Sequence, residues 1–420
     1  MNSLLPEEFR RRVDAPLRRF YTCTFFGCFG IGLTLSLYVV YLHNVRGFST
    51  GFATLLLAAS AVVGLTTGPL WGSLTDHFGP SRVSIGAYVG NAGALVTWAF
   101  AHTKIEVAIA ASLLAIFGGA SWGPNSTLLS RLVSVEHRQR AFGFNFMLVN
   151  LGIGFGGLVS ASIVDLHHPA SFTALYLFNA GIALLTGGLL TTLYRFGGPV
   201  ATHHDDLLAS SEGWREVLRD HRLVQFVLAS LVLMIGGYGS QEAGFSLFVV
   251  NNLKLPVHVI GIIFFFNTTT IVLAQLWVLN KISGRSRTRM MAMTSLLWFA
   301  FWMILDAALA MPPVFAVISL CIAMMVFAIG ETLLSPIGPA LVNEIAPDHL
   351  RGRYNSAQGL TWGFSTSIAP VIAALYFDNH LGNWWPFSTG VTALAGGLLM
   401  LNLRRRLSPS EDGRTTTVAP

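Results

Sequence analysis

The sequence predicts an all-α membrane protein in which twelve transmembrane helices form two pseudo-symmetric six-helix bundles. Its 420 residues are 53% hydrophobic and only 11% charged, whereas soluble globular proteins carry about 25% charged residues. The apolar residues fall into stretches long enough to cross a bilayer, which takes about 20 residues in a helix. Short motifs of the first half also recur in the second. So small a share of charged residues cannot cover the surface of a water-soluble protein of this size. A soluble protein is therefore excluded.

Twelve apolar stretches have the length and composition of spanning helices. They are 20–42, 51–75, 81–101, 105–129, 141–164, 171–194, 223–250, 257–280, 288–310, 313–337, 354–377 and 384–403. They divide the chain into an N-terminal half at 1–194, a cytoplasmic linker at 195–222, a C-terminal half at 223–403 and a cytoplasmic tail at 404–420. We expect the tail to be disordered because it is polar.

The linker between the halves contains the one cluster of potential metal ligands, the His-His-Asp-Asp run at 203–206. These side chains could bind a metal, but a solvated connection is the favoured interpretation, and we expect no metal site and no cofactor. A short amphipathic piece surrounds Trp214.

The basic residues indicate the orientation of the chain. Of the 26 Lys and Arg residues, only Arg46, Lys104 and Lys254 lie in alternate gaps between spans. Basic loops are retained on the cytoplasmic side, so we expect a multi-pass protein of the cell (inner) membrane with both termini cytoplasmic. The Arg clusters flank spans, where they would contact lipid headgroups, and we expect no nucleic-acid partner.

The two halves share a spaced motif. In each half a Gly precedes a Pro by six residues, and two Arg residues open the following span. The first copy is Gly118, Pro124, Arg138 and Arg140, and the second is Gly330, Pro336, Arg351 and Arg353. The offset is 212 residues at the Gly and 213 at the first Arg, which predicts a parallel repeat of six spans. Transporters built from such halves hold their substrate between the repeats.

The loop after span two reads Gly72-Ser-Leu-Thr-Asp76-His-Phe-Gly79-Pro-Ser-Arg82. It resembles the signature loop of the major facilitator superfamily, Gly-x-x-x-Asp-basic-x-Gly-basic-basic. In that resemblance Asp76 faces a helix N-terminus, that of span eleven near Arg353, where a carboxylate is favoured. The equivalent loop at 281–287 keeps basic residues but has no acidic one. An ordinary turn with a capping Asp is the alternative.

Other stretches resemble the twelve-span drug:proton antiporters of this superfamily. In span five, Gly143, Gly152 and Gly156 have the spacing of the antiporter signature, although small residues at such spacing also mark close helix packing. Span ten resembles one group of multidrug exporters in its Gly-Glu-Thr-Leu-Leu-Ser-Pro run. Leu114 stands where span four of many members has an Arg, which weakens any proton relay taken from them.

The resemblance implies a conformational gate, and the charges inside spans suggest coupling groups. The gate residues are Gly72, Asp76, Gly79, Arg82, Arg138, Arg140, Arg351 and Arg353. Two carboxyl groups, Glu242 and Glu331, lie well inside spans, where a charge costs at least about 2.5–3.5 kcal/mol. They are candidates for proton exchange; the alternative, favoured for Glu331, is a carboxyl group that is hydrogen-bonded to a neighbouring helix and does not titrate. A Gly-rich run before Glu242 is expected to break the helix there.

Polar and aromatic residues within spans are candidates for a substrate cavity suited to amphipathic molecules. They are Tyr38, Trp122, Asn125, Asn145, Asn150, Tyr238, Gln241, Asn267, Gln275, Gln358 and Trp362. Some of them are expected to join helices instead.

These features predict a secondary active transporter that exports drugs or other amphipathic small molecules by alternating access, coupled to protons. We expect it to be a monomer in the lipid bilayer. No nucleotide-binding loop occurs, so we do not expect ATP to drive transport. No cluster of catalytic residues occurs either, so we do not expect an enzyme. A metabolite importer or a narrow-substrate exporter on the same fold is the main alternative. A membrane-embedded transferase and a signalling relative without transport are the others.

Overall fold

The computed structural model describes residues 14–35, 37–38, 41–120, 122–165, 168–198, 209–256 and 258–414. The potential metal ligands at 203–206 and residues 415–420 lie outside this part. The described residues contain fifteen α-helices: α1 Ala15–Thr34, α2 Thr50–Phe78, α3 Pro80–Phe100, α4 Lys104–Gly119, α5 Trp122–Leu132, α6 Arg138–Ile163, α7 Ala170–Thr191, α8 Ala209–Arg219, α9 His221–Met234, α10 Ser240–Asn251, α11 His258–Ile282, α12 Arg287–Ala308, α13 Pro313–Ile345, α14 Arg351–Asp378 and α15 Trp385–Leu403. The amphipathic piece predicted around Trp214 is α8.

Eleven helical stretches in the described part of the chain are long and apolar enough to cross a membrane. They correspond to predicted spans two to twelve, and most predicted ends lie within three residues of the observed ones. The predicted first span, 20–42, corresponds to α1 and the π-helical turn Tyr41–Val45 and is not among the eleven. α13 runs to Ile345, beyond the predicted end at 337, although Pro336 and Pro339 lie inside it.

Span seven does not break at its Gly-rich run, contrary to the expectation. Residues Ile235–Gly239 form a π-helical turn that joins α9 directly to α10. The backbone therefore keeps internal hydrogen bonds, which matters in lipid because the bilayer core offers none. π-helical turns within helices often occur at functional sites, and this one immediately precedes the helix that carries Glu242.

The chain forms two compact units. One consists of the described residues of Met1–Ala141, Asn145–Gly213 and Ala346–Gly359, and the other consists of those of Phe142–Phe144, Trp214–Ile345 and Leu360–Pro420. Two helices contribute to both units: residues Phe142–Phe144 of α6 belong to the second unit, and the first nine residues of α14 belong to the first. Spacing along the sequence did not reveal this exchange.

Each unit repeats the same helix pairings. In the first unit, α3 packs on α7 and α4, α1 packs on α7, and α2 packs on α4. In the second, α12 packs on α15 and α13, α9 packs on α15, and α11 packs on α13. Because these are the same four pairs of spans counted from the start of each half, the predicted repeat of six spans is confirmed.

Buried aromatic residues fill the centre of each unit. In the first, Trp98 and Tyr176 lie in a cluster formed with small residues of α3 and α7. In the second, Trp298 stacks on Phe327 with ring centroids 5.0 Å apart, and Trp302 lies beside them. In the second unit, Gly237 and Gly330 lie against the Trp298 ring, so the packing there is close.

The expected disorder of the tail is wrong for residues 404–414. A 3₁₀ turn, Arg404–Arg406, follows α15, and the chain beyond it is folded back so that the Asp412 side chain is fully buried. The composition of this segment is polar, but its charged groups find partners on the second unit.

The packing against Trp298 leads to a stability prediction. A Cβ added at Gly237 would lie within the van der Waals radius of the Trp298 ring. Gly237→Ala should therefore lower the free energy of unfolding by about 1–3 kcal/mol through overpacking. Thermal unfolding of the purified protein in detergent measures this.

Gly261→Ala is the matched control, because a Cβ there meets no atom within 4 Å. It should leave the unfolding midpoint unchanged or raise it slightly, since Ala favours helix over Gly. Equal midpoints for the two variants would contradict the described packing of the second unit.

Candidate functional site

The first unit contains a cavity of about 400 Å³. Its walls come from α1, α2, α3, α4, α5, α7 and the segment around Tyr38. Three predicted cavity residues, Tyr38, Trp122 and Asn125, line it. The other polar or aromatic side chains in its wall are Thr34, Ser60, Ser84, Tyr88, Asn91, Trp98, Phe117, Tyr176 and Asn179.

The cavity wall is neutral and aromatic. Among the described residues that line it there is no Asp, Glu, Lys, Arg or His. The rings of Tyr38 and Trp98 lie 4.8 Å apart, and Trp122 is 60% exposed. Asn125 is held in place because the Ser84 hydroxyl donates to its Oδ1 at 3.2 Å. Such a surface can stack on flat apolar groups and offer a few hydrogen bonds.

Sequence reasoning missed part of this wall. Tyr88, Asn91, Leu95 and Trp98 all line the cavity and succeed one another by three or four residues along α3. Side chains at that spacing share one face of a helix. A polar and aromatic stripe within span three was therefore the signal that could have identified them.

Glu331 is buried in the second unit with two neutral hydrogen-bond partners. It is 5% exposed, and the Asn267 side-chain amide donates to its Oε2 at 2.6 Å. The Tyr238 hydroxyl is the other partner of the carboxyl group. Asn267 and Tyr238 were predicted to line a cavity, which stays a prediction; both contact the Glu331 carboxyl group, and the Tyr238 ring also packs on aromatic side chains.

Glu242 lies in the first turn of α10, directly after the π-helical turn, and its side chain is exposed. It is close enough to Glu331 for the two carboxyl groups to interact electrostatically. The Tyr238 hydroxyl lies within range of both. The second unit thus brings together two carboxyl groups and a phenol that the sequence had placed on two different spans.

The remaining predicted cavity residues occupy several environments. Asn145 accepts from the Thr24 hydroxyl at 2.9 Å, which joins α6 to α1, and the Gln275 amide donates to the Thr332 carbonyl at 3.3 Å. The Asn150 side-chain amide donates to a carbonyl of its own helix. Gln241 is buried, and Gln358 is half-buried in α14. The exposed Trp362 ring has its centroid 4.8 Å from that of Tyr238. None of these residues lines the cavity of the first unit.

Asp76, near the end of α2, contacts the start of α14. Its carboxylate accepts from the backbone amides of Gly352 at 2.6 Å and Arg353 at 3.1 Å, and from the Arg353 guanidinium at 3.0 Å. The Asp76 side chain is 5% exposed and that of Arg353 11%. The free amides of a helix start and a cation both favour a carboxylate, so this is a strong link, placed where the loop motif predicted it.

Two glycines of the loop make this contact possible. A Cβ at Gly72 would lie 2.6 Å from the Ser356 Oγ, so only Gly lets α2 approach α14 this closely. Gly79 adopts a φ of 87°, which other residues rarely adopt. The gating role of these residues stays a prediction.

The arginines assigned to the gate have separate partners. Arg82 donates to the Tyr194 hydroxyl at 2.6 Å, Arg138 donates to the Ser130 carbonyl at 3.3 Å, and Arg351 pairs with Asp348. Arg140 is half-buried at the start of α6. Arg131, which the sequence did not single out, donates to the Gly198 carbonyl at 2.5 Å.

The glycines of span five lie at close helix contacts. A Cβ at Gly152 would lie 2.7 Å from the Phe25 carbonyl oxygen, and one at Gly156 would overlap that of Phe29. These two glycines let α6 pack directly on α1. Gly143 faces Leu279 in the second unit. Close packing accounts for these positions, and their link to antiport stays a prediction.

The comparison with protein families identifies the chain. A family model described as the Major Facilitator Superfamily matches residues 20–252 and 243–419. The chain belongs to the Major Facilitator Superfamily. It is therefore a membrane-integral transporter with two helical halves, in a family whose members are not enzymes.

Individual relatives are distant. The "Na(+), Li(+), K(+)/H(+) antiporter" of Planococcus maritimus is 22% identical over 392 residues, 86% of this chain and 89% of that protein. The "Multidrug resistance protein MdtG" of Klebsiella pneumoniae (strain 342) is 25% identical over 148 residues, 34% of this chain and 35% of that protein. A crystal structure of a bacterial homologue of the iron transporter ferroportin in an outward-facing state has a TM-score of 0.79 at 12% identity, and covers 94% of this chain and 100% of that one. This likeness shows the fold.

The Asp76 contact leads to a second stability prediction. Asp76→Asn keeps the shape of the side chain but removes the negative charge that binds the Arg353 guanidinium and the backbone amides at the start of α14. The free energy of unfolding should fall by about 1.5–3 kcal/mol, the contribution of hydrogen bonds to a charged group. The thermal midpoint of the purified variant measures the loss.

His77→Asn serves as control because the neighbouring His77 side chain is exposed. Its midpoint should match that of the unaltered protein. If Asp76→Asn behaves like this control, the carboxylate does not hold the start of α14.

Proposed function

We propose that this transporter exports amphipathic organic molecules, drugs among them, in exchange for protons, with both termini on the cytoplasmic side of the cell membrane. Glu331 carries the proposal: it is a carboxyl group buried in a spanning helix whose two hydrogen-bond partners, Asn267 and Tyr238, are neutral. Ionisable groups at such depth are costly and mark ion pathways.

Glu331 and Glu242 form the coupling pair in this proposal. A carboxyl group held by neutral donors has no fixed cation to keep it ionised, so its proton can exchange when access to water changes. In the proposal Glu242 passes the proton to and from Glu331, and the Tyr238 hydroxyl within electrostatic range of both assists the transfer. The π-helical turn before Glu242 allows local adjustment of the helix.

The neutral, aromatic wall of the cavity in the first unit supports the substrate class. A cavity without fixed charges favours ligands by apolar contact and stacking, which suits amphipathic compounds better than sugars or phosphates. Its volume of about 400 Å³ is that of a drug-sized ligand site.

The contact of Asp76 with the start of α14 supports alternating access. Because it consists of charge-assisted hydrogen bonds rather than interlocked apolar side chains, it can be broken and remade as a unit. In the proposal this contact forms in one state of the transport cycle and breaks in another.

The second candidate is exchange of monovalent cations for protons. The carboxylate oxygens of Glu242 and Glu331 and the amide oxygen of Asn267 are ligands that alkali cations accept. The antiporter of Planococcus maritimus, whose name states such an exchange, aligns with 86% of this chain. Direct comparison of an organic probe with Na⁺ and K⁺ separates the two.

Replacement of the coupling carboxyl groups gives the decisive variants. In inside-out vesicles with an imposed pH gradient, we expect uptake of ethidium, a flat lipophilic cation, by the unaltered protein. Glu331→Gln and Glu242→Gln should each abolish gradient-driven uptake, since an amide cannot release a proton. Fluorescence quenching of ethidium measures the rate.

Glu216→Gln is the control, because Glu216 is an exposed carboxyl group of α8. It should transport at the unaltered rate. Full gradient-driven uptake by both span variants would refute proton coupling through these residues. Proton-linked movement of Na⁺ or K⁺ without any of ethidium would favour the second candidate.

The cavity wall gives a prediction about affinity. Trp122→Ala removes an aromatic side chain from the cavity and should raise the KM for ethidium about tenfold, the loss expected for one stacking contact. Trp277→Ala removes an equally exposed Trp of the second unit and should leave the KM unchanged; Trp122 is 60% exposed and Trp277 62%. Equal KM values for both variants would place the substrate elsewhere.

A further inference from the structure

Asp412, in the C-terminal tail, caps the start of α12. Its Oδ1 accepts from the Thr288 backbone amide at 3.0 Å and the Thr288 hydroxyl at 2.9 Å, and its Oδ2 accepts from the Ser286 hydroxyl at 2.7 Å. Asp412 is 0% exposed. A carboxylate at the N-terminus of a helix satisfies free amides and complements the helix dipole. Here it comes from a segment more than a hundred residues away in the chain.

Basic residues enclose the same carboxylate. The Arg414 Nε lies 3.0 Å and the Arg404 Nε 3.6 Å from its Oδ2. The Arg287 backbone amide donates to the Asp412 carbonyl at 2.7 Å. The Asp412 carboxylate thus accepts three hydrogen bonds and pairs with two arginines, and a buried carboxylate is stable when it is paired and hydrogen-bonded.

The preceding residue extends the contact to α9. Glu411 pairs with the Arg222 guanidinium at 2.6 Å, and Arg222 also pairs with Asp220 at 3.0 Å, just before α9 begins. The Glu411 carboxylate accepts from the Ser408 amide at 2.8 Å as well, which closes the tail into a turn. The tail therefore joins the start of α9, the start of α12 and the end of α15.

Arg287 continues the chain of contacts towards α13. It is 5% exposed, its guanidinium donates to the Glu411 carbonyl at 2.7 Å, and it lies 4.0 Å from the Glu344 carboxylate. Glu344 stands near the end of α13, the helix that carries Glu331. The tail is thus linked to α13 through the buried guanidinium of Arg287.

The first unit has a simpler version of this contact. After α7 and a 3₁₀ turn, the chain returns to the start of α3, where the Ser81 amide donates to the Gly197 carbonyl at 3.3 Å and its hydroxyl to the Leu193 carbonyl at 3.1 Å. In the second unit, the segment after α15 and its 3₁₀ turn reaches the equivalent helix start, but with two acidic side chains. The loop before α12 has no acidic residue of its own, and the tail provides them.

We propose that residues 407–414 form a C-terminal clasp, anchored by Asp412, that holds the starts of α9 and α12 together and positions α13 through Arg287. Asp412 is a positioning residue for transport: it touches no substrate and acts through the helix starts that it fixes. The transport part of this proposal rests on the proposed function, whereas the structural part does not.

Thiol labelling tests the clasp directly. Ser286 is 6% exposed and lies under Asp412, whereas Ser283 in the same loop is exposed. Ser286→Cys and Ser283→Cys are each placed in three forms of the protein: full length, ending at 414 and ending at 407. A membrane-impermeant maleimide is added to the purified proteins in lipid nanodiscs, and the unaltered protein reports any background from its three native cysteines.

The clasp predicts that Ser283→Cys reacts quickly in all three forms. Ser286→Cys should react slowly at full length and in the form ending at 414, and at least about tenfold faster in the form ending at 407, where its cover is removed. Equal rates for Ser286→Cys in all three forms would overturn the clasp. If the form ending at 407 does not fold, Asp412→Ala in the full chain gives the same comparison.

Transport tests the positioning role. Asp412→Asn keeps the shape of the anchor but not its charge, and should lower the maximal rate of ethidium uptake about tenfold while leaving its KM unchanged. Ser410→Ala, in an exposed residue of the same turn, should leave both unchanged. An unaltered maximal rate for Asp412→Asn would overturn this role. If the full-length protein moves no ethidium, the proposed substrate class fails, and the labelling rates alone decide on the clasp.

Discussion

A bilayer offers no hydrogen bonds, so every buried charged group of this chain must find its partners inside the protein. Three carboxyl groups illustrate how it does so. Asp76 lies on the start of α14 and Asp412 on the start of α12, where free backbone amides and Arg side chains receive them. Glu331 has an amide and a phenol instead.

The partners of each carboxyl group determine what it can do. Asp76 and Asp412 are hydrogen-bonded by backbone amides at helix starts and paired with arginines, so they join helix ends that are distant in sequence. Glu331 has no cation among its hydrogen-bond partners, and a second carboxyl group, Glu242, lies within electrostatic range. Paired carboxylates therefore lie at the ends of the helices, and the carboxyl groups proposed to exchange a proton lie within spans.

Local sequence was sufficient for spans two to twelve, the repeat and the Asp76 contact, because hydropathy, spacing and a loop motif are short-range signals. It was insufficient for the clasp: a polar segment that ends in Ser-Glu-Asp-Gly-Arg has the composition of a disordered tail, and only folding brings Asp412 to Thr288. The same limit applies to Asn267 and Tyr238, whose contacts with Glu331 their residue types did not indicate. The assignment of residues 346–359 to the first unit also depends on tertiary packing.

Proton release on substrate binding tests the central claim, that Glu331 carries an exchangeable proton linked to transport. Ethidium would be added to the purified protein in weakly buffered detergent solution containing a pH indicator. The unaltered protein should release protons as ethidium binds, and Glu331→Gln should bind ethidium without releasing them. Identical proton release from both proteins would contradict the assignment of Glu331.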